Sequence, residues 1–244
     1  MSAQPPQPNL AWQFESSNVD SITGLAPSFS TVDGLLTSAP TYVPGKYGQA
    51  INFNNQNSVG TSNSYIQYNL NSGTANSFSV SCWIMTLDTI PVSTRNPKYI
   101  QLNSGGTSYQ IQTAKSSTSS GFYSAVGSPT TIFTPNLLTT GQWGHHCFIL
   151  SNVAATFPTS IVTYYFNGVS QGTTIVTPPT FSTFTSLTVG QNAWCSVDDL
   201  RLFNTALSAA QVQTIYAAGG MPNQISLSGS GTMSMKGTGT ISIR

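Results

Sequence analysis

Charged residues are scarce in this chain of 244 residues. Seven Lys and Arg and six Asp and Glu make up 5% of the sequence and give a net charge of +1, whereas about a quarter of an ordinary soluble domain is charged. A balance so close to neutral offers no electrostatic basis for binding nucleic acid or an anionic membrane. The surface must instead be solvated by Ser, Thr, Asn and Gln, which form hydrogen bonds with neutral polyols or with neighbouring proteins.

Long apolar segments are missing as well. No apolar run approaches the roughly 20 residues needed to cross a bilayer, so membrane insertion is not expected. The first eight residues, Met1 to Pro8, contain neither the basic region nor the apolar region of a signal peptide. We therefore expect a protein that is not secreted through a signal peptide, with residues 1–8 forming an extended Pro/Gln-rich arm.

The chain has only three cysteines, Cys82, Cys147 and Cys195. Each lies in a strand-like context, and an odd number without an export signal indicates reduced, buried thiols. One disulfide with one free thiol is the alternative. His145 and His146 precede Cys147, but consecutive strand residues point to opposite faces. We therefore predict one packed and one surface imidazole rather than a metal pair.

Carboxylates suited to catalysis are also few. The sequence contains a single glutamate, Glu15, whereas glycoside hydrolysis ordinarily needs two carboxylates that flank the scissile bond. Asp198 and Asp199 are adjacent, so on a regular strand they point to opposite faces. The chain is therefore predicted not to be an enzyme, with a glycoside hydrolase as a remote alternative.

Alternation of apolar and polar residues is the main pattern that the chain does contain. Short segments with this period, bounded by Gly, Asn and Ser, are typical of β-strands. From Phe78 to Met85 the even-numbered residues share one face, with Trp83 on the other. From Val197 to Phe203 the odd-numbered residues are predicted on one face and the even-numbered residues on the other.

Two local signals refine this pattern. Asn167-Gly168 separates two strand-like segments and predicts a tight hairpin turn. Ser208 is followed three residues later by Gln211, which is the capping-box spacing and predicts a short helix. Two consecutive glycines at 219 and 220 are predicted to end that helix.

Several segments resemble laminin-G-like domains of the concanavalin A-like lectin/glucanase superfamily. The segment from Asp198 to Ser208 is similar to the closing run of that family. Four further segments match in family order: Tyr42–Phe53, Phe78–Met85, Gly141–Leu150 and Ile161–Gly172. The matches span roughly residues 9–218. The resemblance implies an all-β domain at 9–220, a jelly-roll β-sandwich of two antiparallel sheets with one short C-terminal helix.

The same resemblance implies a metal hypothesis. Some laminin-G-like domains bind calcium at the sandwich rim, and Asp198 with Asp20 would be the ligands here. The alternative is that Asp198 or Asp199 caps backbone N–H groups or pairs with Arg201. No other cofactor is expected.

Trp194 is the candidate sugar-binding residue. It lies in a Gly/Asn-rich turn beside Gln191 and Asn192, where an exposed indole can stack on a sugar ring. Core packing of Trp194 is the alternative, and the other three tryptophans are predicted to lie in the core.

Residues 221–244 form a tail with an eight-residue repeat. Pairs of apolar residues alternate with pairs of glycines, and Ser, Thr, Lys or Arg stand between them. The apolar positions are Ile225, Leu227, Met233, Met235, Ile241 and Ile243. A flexible linker would not keep these residues in phase. The β-repeat tail therefore either folds back on its own domain or, the alternative favoured here, adds a strand to another subunit.

Two functions of different kinds follow. The first is a non-enzymatic structural or assembly protein whose tail contacts other protein subunits or further copies of itself. Such a chain resembles virion proteins of large DNA viruses, which implies a virion or, alternatively, a cytoplasmic location. The second is a lectin module that binds cell-surface glycans. The two are compatible.

Overall fold

Fifteen β-strands and one α-helix form the regular structure of the residues that the computed structural model describes. Those residues are 4–15, 17, 19–32, 40–54, 63–70, 77–88, 97–104, 107–113, 119–124, 130–135, 137–151, 160–176 and 184–218. The strands form two antiparallel sheets. The all-β prediction is therefore confirmed.

The larger sheet has eight strands, numbered here in chain order. Its spatial order is β13 (Val169–Val176), β12 (Ser160–Phe166), β11 (Trp143–Ser151), β6 (Phe78–Thr86), β15 (Trp194–Phe203), β4 (Gln49–Asn54) and β3 (Thr41–Pro44), and β1 (Leu10–Trp12) also pairs with β15. The second sheet is ordered β10 (Thr130–Pro135), β9 (Ser119–Ser124), β8 (Thr107–Thr113), β7 (Lys98–Ser104), β14 (Phe184–Gln191), β5 (Asn63–Asn69) and β2 (Ser28–Val32). This arrangement agrees with the predicted jelly-roll sandwich.

The core lies between the two sheets and follows from alternation. On β6, Phe78, Val80, Cys82 and Ile84 all belong to the buried cluster between the sheets, as the sequence predicted. Trp83 lies on the outer face of the larger sheet instead, because successive side chains of a strand point to opposite faces.

β15 departs from this regular alternation. Asp198 is opposite Trp83 of β6, but Arg201 is opposite Ser81, so β15 contains one extra residue relative to β6. Asp199 adopts φ = +46° at this β-bulge. The left-handed conformation is one that Asp tolerates better than most residues do.

The bulge changes which face each residue of β15 occupies. Val197 and Leu200 both lie in the core between the sheets, although their numbers differ in parity. Asp199 pairs with Arg201 on the outside, the side that Asp198 also occupies opposite the outward Trp83. The predicted faces are therefore wrong for Val197 and Asp198, and so is the inference that the two aspartates point apart. From Asp199 onward the prediction holds, since Leu200 and Leu202 lie in the core and Phe203 lies in the outer cluster.

Both local signals read from the sequence are confirmed. Asn167 and Gly168 have φ values of +48° and +78°, which suits a two-residue hairpin turn with left-handed backbone at both positions. The Ser208 N–H donates to Gln211 Oε1 at 2.8 Å, and the Gln211 N–H donates to Ser208 Oγ at 3.3 Å. This reciprocal pair caps the start of α1 (Ala209–Ala218).

Helix α1 covers part of the outer face of the larger sheet. Val212 and Ile215 pack with Cys147, Tyr165 and Phe203 in a second buried cluster. Within the described part of the chain, no helix is long and apolar enough to cross a membrane.

Both histidines are buried, so the prediction of one surface imidazole is wrong. They do point to opposite sides of β11: His145 Nε2 lies 2.9 Å from Ser81 Oγ, and His146 Nδ1 lies 2.6 Å from the Tyr164 hydroxyl. The outer side is shielded because α1 places the Tyr216 ring 5.7 Å from the His145 ring.

The three thiols agree with the sequence prediction. Cys82, Cys147 and Cys195 are free and buried. Burial raises the pKa of the Cys82 and Cys147 thiols, because a thiolate is poorly solvated in an apolar core.

The tail predicted at 221–244 and the helix end predicted at Gly219-Gly220 both lie outside the described residues. Residues 4–8 of the N-terminal arm are described and have no regular secondary structure. The Gln4 carbonyl oxygen accepts a hydrogen bond from Gln211 Nε2 of α1 at 3.2 Å, so this part of the arm contacts the domain.

Candidate functional site

A short turn joins the two sheets at one end of the sandwich. β14 ends at Gln191 and β15 begins at Trp194. Between them, Asn192 has φ = +57°, and the Ala193 N–H donates to the Gly190 carbonyl oxygen at 3.2 Å. The rim site is defined here as Trp194, Gln191 and Asn192 together with the side chains that surround them.

The backbone of Trp194 is fixed at this rim from both sides. Its N–H donates to Asp88 Oδ2 at 3.2 Å, and its carbonyl oxygen accepts the Leu87 N–H at 2.8 Å. Cys195 lies in the core, so alternation places the Trp194 indole on the outer face of the larger sheet. The residue is half-buried, which leaves part of its surface accessible to a ligand.

Polar residues lie in the same turn as Trp194 and on β7, the strand paired with β14. Asn192 and Gln191 are half-buried, and Lys98 Nζ donates to Gln191 Oε1 at 3.4 Å. Burial lowers the pKa of Lys98. The rim site therefore contains two carboxamides and an ammonium group. Sequence reasoning missed Lys98 because its place depends on the pairing of β7 with β14, which puts it opposite Gln191.

A second indole occupies the same face of the sheet. Trp143 is opposite Met85 of β6, and Met85 is opposite Ser196 of β15. Since Ser196 is two residues from Trp194, the two tryptophans face the same side. Trp143 is half-buried rather than core, so its prediction is wrong. The Gly-Gln turn just before Trp143 could have indicated that this residue begins a strand and is therefore less buried than the strand centre.

Asp198 is held by the hairpin between β3 and β4. Its Oδ2 accepts the Tyr47 N–H at 2.8 Å, and a Cβ added at Gly45 would lie 2.7 Å from the same oxygen. Only 1% of Asp198 is exposed. Burial, and to a smaller extent the nearby Asp199 carboxylate, raise the pKa of Asp198 to about 7, although the Tyr47 hydrogen bond acts in the opposite direction.

Asp199 is occupied by Arg201. Nε and Nη2 of Arg201 donate to Oδ1 and Oδ2 of Asp199 at 2.8 and 2.7 Å, and 4% of Asp199 is exposed. Burial raises the pKa of Asp199 while the Arg201 charge lowers it. Asp198 thus accepts a backbone N–H and Asp199 pairs with Arg201, which is the structural alternative to a calcium site. Neither carboxylate is open to a substrate.

Asp20 also binds protein donors. One carboxylate oxygen accepts the Ala11 N–H and the other accepts both the N–H and the hydroxyl of Thr23. Asp20 and Asp198 are thus held by different segments. Among the described residues there is no group of three or more His, Cys, Asp or Glu that could hold a metal ion, and the calcium hypothesis stays a prediction.

The outer face next to Asp198 is covered by the chain itself. The Trp83 ring stacks on Tyr216 of α1, with centroids 5.7 Å apart, and Lys46 Nζ lies 4.6 Å from the Trp83 ring centroid. Trp83 is buried, so this surface is closed to a ligand, whereas the rim site is open.

Comparison with known proteins places these features in a family. The model of the Laminin_G_3 family, of the Concanavalin A-like lectin/glucanases superfamily, matches residues 60–213. A search of curated protein sequences found no match.

Solved structures give the same fold. The chain is similar to the fourth domain of a GH43 extracellular arabinanase from Geobacillus stearothermophilus, in complex with arabinotriose, with a TM-score of 0.64 and 18% identity over 86% of this chain and 98% of that domain. It is similar to the botulinum neurotoxin type G receptor-binding domain, with a TM-score of 0.63 and 11% identity over 87% of this chain and 51% of the other.

A third similar structure is the botulinum neurotoxin serotype D ligand-binding domain in complex with N-acetylneuraminic acid. Its TM-score is 0.60, with 15% identity over 86% of this chain and 50% of the other. The chain therefore spans about half the length of the two toxin domains. At these identities the likeness establishes the fold alone.

Proposed function

The chain belongs to the Laminin_G_3 family of the concanavalin A-like lectin/glucanases superfamily, and on this basis we propose that it is a non-catalytic module that binds neutral oligosaccharides. The rim site at the turn between β14 and β15 is the proposed binding surface. Trp194 provides the stacking surface, and Gln191 and Asn192 provide hydrogen-bond donors and acceptors.

The observation that carries this proposal is the half-buried indole of Trp194 on a fixed backbone. Asp88 and Leu87 hold both backbone groups of Trp194, so little conformational freedom is lost when a sugar stacks on the ring. Carboxamides on the same turn can both donate to and accept from sugar hydroxyls. Ligand sites commonly combine aromatic side chains with a small number of polar groups that fix the orientation of the ligand.

Composition supports a neutral ligand. Charged residues make up 5% of the chain, and Lys98 is the one cation described at the rim site, already bound to Gln191. The arabinanase domain, of which the chain covers 98%, was solved with the neutral sugar arabinotriose. We therefore place arabinotriose-like sugars ahead of acidic ones.

The absence of catalysis is part of the same proposal. Hydrolysis of a glycoside ordinarily needs two carboxylates that reach the scissile bond. Asp198 and Asp199 do share one face, but they are buried and bound to Tyr47 and Arg201. A sugar would have to displace these partners before either carboxylate could act.

Calorimetric titration with arabinotriose tests the rim site. We expect Trp194→Ala to weaken binding by about fivefold or more, because loss of aromatic stacking costs about 1 kcal/mol. Trp194→Phe retains a ring and should recover most of the affinity. If Trp194→Ala binds as tightly as the unchanged protein, the proposed surface is wrong.

A glycan array tests the function itself. We expect the folded, unchanged protein to bind neutral oligosaccharides on the array and to leave them chemically intact. A folded protein that retains no glycan at all would refute the proposal, and release of cleaved sugar would refute its non-catalytic part.

We also propose an assembly role for the tail at 221–244, as a component of a virion or another large particle. The support is the in-phase repeat of apolar residues in the sequence. Light scattering coupled to size-exclusion chromatography compares the full chain with a variant ending at residue 220. We expect oligomers for the full chain and folded monomers for the truncated one. Identical masses would count against the assembly role, and the location is tested by mass spectrometry of purified particles.

A further inference from the structure

A cavity lies near the opposite end of β15 from Trp194. Its volume is about 290 Å³, close to the lower limit of roughly 300 Å³ for ligand pockets. Of its lining residues, Leu202 and Leu70 are buried and belong to the core between the sheets, while Leu10 and Leu25 are half-buried and pack against that core. The leucine cleft, as we name it, thus has a floor continuous with the protein interior.

The mouth of the leucine cleft is lined by carboxamides. Asn9, Asn69 and Asn204 come from three different segments and border the same cavity. Asn9 Oδ1 accepts the Asn204 N–H at 2.6 Å, which fixes two of these segments against each other. Each carboxamide carries both donors and acceptors. No charged side chain is among the described residues that line the cleft.

One wall of the leucine cleft is a rigid turn. Asp20 accepts hydrogen bonds from Ala11 and Thr23, and the Asp20 N–H donates to the Leu25 carbonyl oxygen at 3.0 Å. The cleft is therefore formed before any ligand arrives, so that binding need not order the wall.

The leucine cleft differs in chemistry from the rim site. It has no aromatic ring among its described lining residues, so it offers no stacking surface for the face of a sugar. Its aliphatic floor suits a methyl group, and its amide mouth suits a group with one N–H donor and one carbonyl acceptor. An acetamido substituent combines these features in one small neutral unit.

We propose that the leucine cleft binds the acetamido group of an N-acetylated neutral sugar, with the methyl group on the leucines and the amide between the asparagines. The inference rests on the proposed carbohydrate-binding function and names a substrate class for it. It uses a different site, at the other end of the sandwich, so the two can be tested separately.

The test compares two neutral trisaccharides with the same linkage. Chitotriose carries acetamido groups and cellotriose does not. We expect chitotriose, added to the full chain with labelled leucine methyl groups, to shift the NMR signals of Leu25 and Leu70. Cellotriose at the same concentration should leave both signals in place. Equal shifts with both sugars, or none with chitotriose, would overturn the inference.

A matched pair of variants assigns the contact. Asn69→Asp keeps the size of an exposed side chain but removes its N–H donors, and should weaken chitotriose binding by about fivefold, the typical effect of one lost hydrogen bond. Gln171→Glu makes the same chemical change on β13, outside both sites, and should have no effect. Equal affinity of Asn69→Asp and the unchanged protein would refute the assignment.

Trp194→Ala separates this inference from the rim site. In that variant chitotriose should still shift the methyl signals of Leu25 and Leu70 if the leucine cleft is the site. Chitotriose binding that disappears with Trp194→Ala but survives Asn69→Asp would place the acetamido sugar at the rim and overturn the inference, leaving the proposed function intact.

Discussion

Arg201 donates two hydrogen bonds to the carboxylate of Asp199, two residues earlier on the same strand. The distances are 2.8 and 2.7 Å, and both side chains are almost completely buried. Asp199 reaches this position from a bulge with φ = +46°. The ion pair therefore fixes the irregular backbone at the centre of the larger sheet.

Removal of one partner from this pair should destabilise the protein. Asp199→Asn leaves the Arg201 guanidinium buried without a counter-charge, and we expect a loss of about 3 kcal/mol in the free energy of unfolding. Asn also tolerates the left-handed backbone, so the loss would reflect the charge. Urea unfolding gives the measurement. The double variant with Arg201→Met should recover much of the loss, and a single-variant effect below about 1 kcal/mol would contradict this account.

Asp198 should make stability depend on pH near neutrality. Its pKa in the fold is about 7, above the roughly 3.9 of an unfolded Asp. The fold therefore favours the protonated acid, so its contribution is fully present below about pH 4 and is lost as the pH rises through 7. The total is at most about 4 kcal/mol.

The comparison with Asp198→Asn isolates this effect, because Asn keeps an acceptor for the Tyr47 N–H. We expect the melting temperature of the variant to rise relative to the unchanged protein between pH 5 and pH 8. A difference that stays constant over this range would show that Asp198 titrates normally. Carbon NMR of its carboxyl group measures the pKa directly.

The two histidines should behave in the opposite sense. Burial lowers the pKa of His145 and His146 to about 3, below the usual value of about 6.5. Their contribution to stability is therefore present above pH 6.5 and is lost as the pH falls towards 3. Nitrogen NMR should find both rings neutral at pH 5. Protonation of either ring at that pH in the folded protein would contradict the burial described here.

Gly190 should tolerate no side chain. It has φ = +83°, and a Cβ would overlap the Phe53 ring in the core. We expect Gly190→Ala to cost about 3 kcal/mol or more through backbone strain and overpacking. Gly141→Ala is the matched control, since Gly141 has φ = +75° with no atom within 4 Å of the added Cβ. It should cost only about 1 kcal/mol, and equal losses in the two variants would rule out the Phe53 contact as the cause.

Features set by local sequence could be predicted. The hairpin at Asn167-Gly168 and the cap formed by Ser208 and Gln211 depend on neighbouring residues only, and both are present. Central strands such as β6 alternate clearly because one face meets the core.

Features set by distant contacts could not be predicted. β2 and β10 were not predicted from the sequence. Each lies at one edge of the second sheet and pairs with a single strand, and such an edge strand can be rich in Ser and Thr without a clear apolar alternation. The bulge at Asp199 was missed because a period-two assignment assumes constant register.

The candidate functional site likewise has one part that the local sequence predicts and another that depends on distant contacts. The turn that presents Trp194 could be read from its sequence, since Gly and Asn mark the change of direction. Lys98 and the leucine cleft depend on how separate segments meet, and no local pattern contains that information.

The burial of all three cysteines frees folding from the redox state of the surroundings. Cys82, Cys147 and Cys195 are each unbridged, so the sandwich needs no oxidant to reach its final form. The thiolate is the species that attacks alkylating reagents. Burial disfavours this charged form of the thiol and keeps reagents away from the sulfur. Reagents can therefore reach Cys82 and Cys195 only when the sheets part, and Cys147 only when α1 leaves the outer face. The rates of modification of these thiols thus report separately on the opening of the sandwich and on the release of the helix.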